Sequence, residues 1–184
     1  MLDRRALLGG GAALAALTVL PSRALAPART FAPAGAEHRL ALRNVHNGER
    51  HDVLFARGGV FLPGAIDELN HALRDWRNGA IEPIDHGLLM LAGALRDTLG
   101  VSPRTHIDLI SGYRSPATNA SLNAHSDGVA SRSQHLLGKA MDLAVPGVPL
   151  DRVHRAALSL RGGGVGYYPA DGFVHIDTGR PRIW

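Results

Sequence analysis

Two short segments near the C-terminus constrain this chain more than any other feature. In residues 140–145 the large apolar side chains Met141, Leu143 and Val145 alternate with Ala140, Asp142 and Ala144. In residues 173–177, Val174 and Ile176 alternate with Phe173, His175 and Asp177. A period of two places each set on one face of an extended strand, so both segments belong to a sheet with one face in an apolar core. Aspartate has little intrinsic preference for strands, and the alanines beside Asp142 leave open space around it. That residue therefore needs a partner, either a metal ion or a charge. With the two strands as neighbours, Asp142 and His175 stand next to each other across the ladder.

The rest of the chain reads as scaffold for those strands. Residues 39–55 alternate in the same way and predict a hairpin turning near Asn47 and Gly48. Ile66, Leu69, Leu73 and Trp76 recur at helical spacing and read as core positions of a first helix. Asp85 caps a second helix that carries Leu88, Leu91, Leu95 and Leu99, with Gly100 as its stop. A strand is expected from His106 to Ser111. Ser115 and Pro116 then supply a cap and a first-turn proline for a short helix through Leu122. A further helix spans residues 151–160 and ends at Gly162, and strands follow at 164–168 and 173–178. Helices first and strands later predict an α+β domain with a small antiparallel sheet packed against the helices.

The N-terminus has a different character. Arg4 and Arg5 precede an uncharged run over residues 6–20, shorter than the roughly 20 apolar residues that span a bilayer. This pattern predicts a secretory leader over residues 1–28, of the twin-arginine kind that exports folded proteins to the periplasm. An Ala- and Pro-rich tether over 29–38 and one domain over 39–184 follow, an ordinary size for a single core. The 184 residues contain no cysteine, which excludes disulfides, thiolate metal ligands and a lipid-bearing cysteine. Net charge is +4, and loss of Arg4, Arg5 and Arg23 together with Asp3 would leave +2, a balance that calls for no nucleic acid partner. No second apolar run suggests a membrane span in the mature chain, which is expected to be a monomer.

His135, ahead of the strand that carries Asp142, can complete a set with His175. Two imidazoles and one carboxylate suit zinc, and three protein ligands leave a position open for water, the mark of a catalytic zinc. The His-x6-Asp spacing is not distinctive by itself. A wider set of motifs is: Ser111-Gly112-Tyr113-Arg114-Ser115, then Ser133-x-His135-x-x-Gly138-x-Ala140-x-Asp142, the run Gly163-Gly164-Val165-Gly166-Tyr167-Tyr168-Pro169, Phe173-Val174-His175-Ile176-Asp177 and the closing Trp184. Together these resemble the zinc D-Ala-D-Ala peptidases, a superfamily shared with lysostaphin-type enzymes and hedgehog domains. The likeness is closer still to its periplasmic, murein endopeptidase K-like branch.

The resemblance implies one Zn2+ per chain on His135, Asp142 and His175, and peptidoglycan stem peptides as the substrate. It carries Arg114 over as the cation that holds a substrate carboxylate or the developing oxyanion. Ser133 is a further substrate-side candidate, with turn capping as its alternative. The general base departs from the family pattern. Related carboxypeptidases have a Glu three residues before the last ligand, where this chain has Gly172. Others have a His two before it, where this chain has Phe173. Asp177 is then the candidate base, with orientation of a ligand imidazole as its other reading; Asp171, His125 and His154 are weaker. The function expected is a periplasmic murein endopeptidase. Its rivals are a D-alanyl-D-alanine carboxypeptidase and a catalytically silent zinc-bearing module that binds cell wall.

Overall fold

The computed structural model describes residues 37–125 and 133–184. The leader expected over 1–28 lies outside those residues, as does the tether up to residue 36. Glu37 and His38, the last two residues assigned to the tether, already belong to the first strand. β1 (Glu37–Asn44) and β2 (Arg50–Arg57) form the expected antiparallel hairpin, with Leu40 opposite Val53 and Leu42 opposite His51. Asn44 closes its turn: its side-chain oxygen accepts from the amide of His46 at 2.9 Å, and its carbonyl accepts from Gly48 at 2.9 Å.

After β3 (Val60–Phe61) come α1 (Pro63–Ala72) and α2 (His86–Thr98). Asp85 caps α2 as expected, accepting from the amide of Leu88. Trp76 departs from its expected place in the core. The α1 helix ends at Leu73, because Asp75 turns the chain through a tight loop in which its amide donates to Ala80 O and its carbonyl accepts from Gly79. Helical phase is lost there, and Trp76 is only half-buried, stacked on His46 at 4.0 Å between ring centroids.

β4 (Ile107–Ser111) leads into α3 (Pro116–His125), which Ser115 caps by accepting from Thr118 N. A 3-10 turn (Gln134–Leu137), β5 (Ala140–Ala144), α4 (Leu150–Leu160), β6 (Gly164–Tyr168), β7 (Phe173–Asp177) and β8 (Arg182–Ile183) complete the domain. The left-handed residue that ends α4 is Arg161, one position before the expected Gly162.

The eight strands form one sheet in the order β3-β2-β1-β4-β5-β7-β6-β8. The α+β class stands, and the strands that carry Asp142 and His175 are antiparallel as expected. The sheet is larger than the sequence suggested and is mixed, since β1 pairs with β4, and β6 with β8, in parallel.

Leu40, Leu42, Phe55, Leu109, Met141, Leu143, Val174 and Ile176 form the sheet's share of the core, against Leu69 and Leu73 of α1, Leu88 and Leu95 of α2 and Val153 of α4. Each of these side chains contributes about 1.5–3 kcal/mol relative to exposure. With one face committed to that core, the opposite face of β5 and β7 is left for polar residues. Among the described residues no helix is long and apolar enough to cross a membrane.

Candidate metal centre

Asp142 on β5 and His175 on β7 are direct cross-strand partners on the non-core face. His135 reaches them from the 3-10 turn. Ser133 caps this turn, its hydroxyl accepting from the amide of His135 at 3.3 Å, which is the capping contact weighed for it beside a substrate role. The segment after β4 holds the turn in place: Arg114 N donates to His135 O at 3.2 Å, and Gly112 O accepts from His135 Nδ1 at 2.6 Å. Gly112 has to lack a side chain, because a Cβ there would lie 2.4 Å from Leu73 O at the end of α1.

These contacts fix the proton positions. A carbonyl only accepts, so His135 carries its proton on Nδ1 and turns the Nε2 lone pair inward. Asp177 Oδ2 accepts from His175 Nε2 at 3.0 Å, so His175 turns Nδ1 inward. The two inward nitrogens are 3.2 Å apart, and Asp142 Oδ1 lies 3.2 Å from the first and 2.8 Å from the second. Three acceptors therefore converge on one buried point, with His135 and Asp142 each 2% exposed and His175 6%. Such a convergence requires a cation, either a proton shared at His175 or a metal ion.

The local electrostatics are consistent with that arrangement. Burial pushes the His135 pKa down, against the pull of Asp142, which keeps the imidazole neutral and able to ligate. Burial alone would raise Asp142, but His135 and His175 outweigh it and hold the carboxyl well below the usual carboxylate range. For His175, burial is outweighed by its bonds to Asp142 and Asp177, and the pKa is raised. A donor set of two oriented imidazoles and an ionised carboxylate fits zinc, with no thiolate needed.

Asp177 is fully buried and sits at the ring edge of His175 opposite Nδ1. Its Oδ1 accepts from the amides of Gly164 at 3.0 Å and Gly179 at 2.8 Å, and Arg182 donates to both oxygens, at 3.1 and 2.7 Å. Burial would raise its pKa, but these donors hold it well below the usual range. Of the two roles the sequence left open for Asp177, this geometry fits orientation of His175 and gives the carboxylate no approach to the point where the ligand atoms meet. Reasoning from sequence missed Arg182 and Gly164 in this arrangement. The glycine triplet at 162–164 was the available signal, since a Cβ on Gly164 would lie 2.5 Å from Asp177 Oδ2.

Arg114 is partly buried beside the ligands. Its Nε donates to Ser111 Oγ at 2.9 Å and its Nη2 donates to Asp142 Oδ2. Trp184 brings its ring to 5.1 Å from that of His175 and donates from Nε1 to Tyr168 Oη at 2.6 Å. His154 stacks on Tyr167, Asp171 lies exposed between β6 and β7, and the side chain of His125 is outside the described residues.

A second grouping of potential ligands, Glu49, His51 and His71, sits near the hairpin turn. It is more open, and Arg74 already neutralises Glu49 through two bonds of 2.8 Å. In the buried trio Arg114 bonds Asp142 through Oδ2, and Oδ1 still faces the two imidazole nitrogens.

The family described as peptidoglycan L,D-endopeptidase MepK matches residues 32–184. The chain belongs to this family. It is 45% identical over 183 residues to the peptidoglycan L,D-endopeptidase MepK of Escherichia coli K12, covering 99% of this chain and 97% of that protein. The Shigella flexneri protein of the same name gives the same figures. The probable peptidoglycan L,D-endopeptidase MepK of Haemophilus influenzae is 39% identical over 175 residues, covering 95% of this chain and 91% of the relative. The resemblance drawn from the motifs and the family found by comparison therefore agree.

Proposed function

We propose that this chain is a zinc-dependent peptidoglycan endopeptidase that cuts L,D peptide bonds in the cross-links between stem peptides. The observation that carries the reading is the convergence of His135 Nε2, His175 Nδ1 and Asp142 Oδ1 at one buried point with their protons directed away from it. Zinc at such a site supplies a Lewis acid and a bound water acidic near neutral pH. Each ligand has an outer partner that fixes it: Gly112 O behind His135, Asp177 behind His175, and Arg114 beside Asp142. Arg114 is also placed to offer its guanidinium to a substrate carbonyl or carboxylate, because its Nη1 makes no hydrogen bond to the described residues.

The relatives are L,D-endopeptidases by name, and this supplies the stereochemistry. Stem peptides can be joined from D-Ala to diaminopimelate or from diaminopimelate to diaminopimelate, and an L,D specificity selects the second. Residues 1–28 are read as a twin-arginine leader, with the periplasm as the site of action. Arg4→Lys combined with Arg5→Lys is expected to leave the chain in the cytoplasm, which fractionation would test.

Mass spectrometry of digested sacculi tests the activity. An endopeptidase converts dimeric muropeptides to monomers, a carboxypeptidase only shortens stems, and a binding module is retained without releasing anything. His135→Ala and Asp142→Ala are expected to lose both zinc and monomer release. Full activity in a zinc-free variant would overturn the proposal.

A further inference from the structure

The loop that follows α1 is fastened to the segment carrying Arg114. Tyr113 N donates to Leu73 O at 2.8 Å, Ser115 N donates to Asp75 Oδ2 at 2.9 Å, and Asn78 Nδ2 donates to Ser115 Oγ at 2.7 Å. Asp75 is fully buried and also accepts from the amide of Arg77 at 3.2 Å. Arg77 is therefore placed by the same buried carboxylate that places Ser115, next in sequence to Arg114. Its guanidinium carbon lies 4.4 Å from the centre of the Trp76 ring, and Trp76 in turn stacks on His46, which bonds through Nε2 to Ile110 O of β4 at 2.9 Å. The stack braces an exposed arginine against the strand that leads into the metal centre.

The charge of Arg77 is unbalanced. Arg114 is paired with Asp142, whereas Arg77 forms no ion pair with the described residues. Asp75 accepts from the amides of both Arg77 and Ser115, which sets Arg77 beside the segment carrying Arg114; burial lowers the Arg77 pKa, Asp75 and Asp142 oppose this, and Arg114 adds to it. A cation held near a second cation, stacked on an aromatic ring and without a counter-ion of its own, is a site for an anion brought by a ligand. Arg presents a planar fork that matches a carboxylate at two points.

We propose that Arg77, braced by Trp76, is a substrate subsite that takes a free carboxylate of the stem peptide lying across the metal centre. This deepens the reading of the chain as a peptidoglycan endopeptidase and rests on it. Arg77 acts in binding, leaving Arg114 beside the bond that is cut.

The test compares zinc-loaded wild type with Arg77→Gln and Arg77→Lys. Two substrates are used: a cross-linked dimeric muropeptide with its free carboxylates, and the same dimer amidated at them. Calorimetric binding of an uncleaved stem tetrapeptide is the second readout. Arg77→Gln is expected to raise KM about tenfold or more with kcat within about twofold, as loss of a charged hydrogen bond predicts. Arg77→Lys should recover part of the loss. Amidation should bring the wild type to the level of Arg77→Gln and leave that variant unchanged. An unchanged KM and tetrapeptide Kd in Arg77→Gln overturn the subsite while leaving the endopeptidase reading intact, and so does an equal loss on both substrates. A wild type that binds the tetrapeptide but cuts no dimer overturns the endopeptidase reading, and the subsite then stands or falls on the Kd of Arg77→Gln alone. Failure of the wild type to bind any stem peptide overturns both.

Discussion

At the scale of single residues, the proposed metal centre depends on Asp177 as much as on the three side chains that would hold the metal. Its carboxylate gathers two backbone amides, Arg182 and the outer nitrogen of His175 into one buried cluster. Asp177→Asn keeps the shape but removes the charge that favours an Nε2 proton on His175, and zinc affinity is expected to fall about 10- to 100-fold. Competition with a calibrated chelator measures this, and unchanged near-ultraviolet circular dichroism would show that the fold survives. Gly164→Ala should have the same phenotype with every ligand intact, because the added methyl group would lie 2.5 Å from Asp177 Oδ2. Wild-type zinc affinity in both variants would remove Asp177 from the account. Asp142 and His175 were legible in the sequence because strand alternation alone puts them on one face. His135 was not, since a 3-10 turn has no long periodic signal and only the family motif pointed to it. The partnership of Asp177 with Arg182 was also hidden, because it depends on how the tail packs back against β6.

At the scale of elements, the β1–β2 hairpin is tied to the end of α1 by Glu49 and Arg74. Arg74 is bonded at two points to Glu49 and, against a smaller opposing effect of burial, holds its pKa at about 2, down from 4.5. A carboxylate with a depressed folded pKa stabilises the fold above its unfolded pKa, and that contribution is lost as pH falls through the folded value. The tie is therefore complete above pH 4.5 and fades between there and about pH 2. Glu49 is partly exposed, so screening limits the effect to about 1 kcal/mol or less. Thermal unfolding of wild type and Glu49→Gln should differ near neutral pH and converge towards pH 2; a constant difference across that range would contradict the assignment. The hairpin itself was readable from its alternation and its Asn47-Gly48 turn. The two-residue strands β3 and β8 are too short to carry a period, and the parallel pairing of β1 with β4 is a tertiary choice with no local signature. Trp76 shows the opposite failure: helical spacing in sequence continued past the point where Asp75 had already turned the chain.

At the scale of the whole molecule, the proposed zinc site would link metal binding to folding. Asp142 is buried among His135, His175 and Arg114, so a cation at their meeting point stabilises the folded state over an unfolded chain that cannot assemble the three ligands. Free zinc at 100 times its Kd adds about 2.7 kcal/mol. For a domain of this size that corresponds to a rise in Tm of roughly 5–10 °C. Chelation should lower the Tm by that amount and restoring zinc should recover it, whereas His135→Ala should show no response to either. The most direct test of the central claim is hydrolysis of a defined diaminopimelate-to-diaminopimelate cross-linked dimer by protein stripped of metal and then titrated with zinc. The account predicts no monomer release from the stripped protein and full recovery at one zinc per chain. Undiminished cleavage by the stripped protein, or no cleavage at any zinc loading, would contradict it.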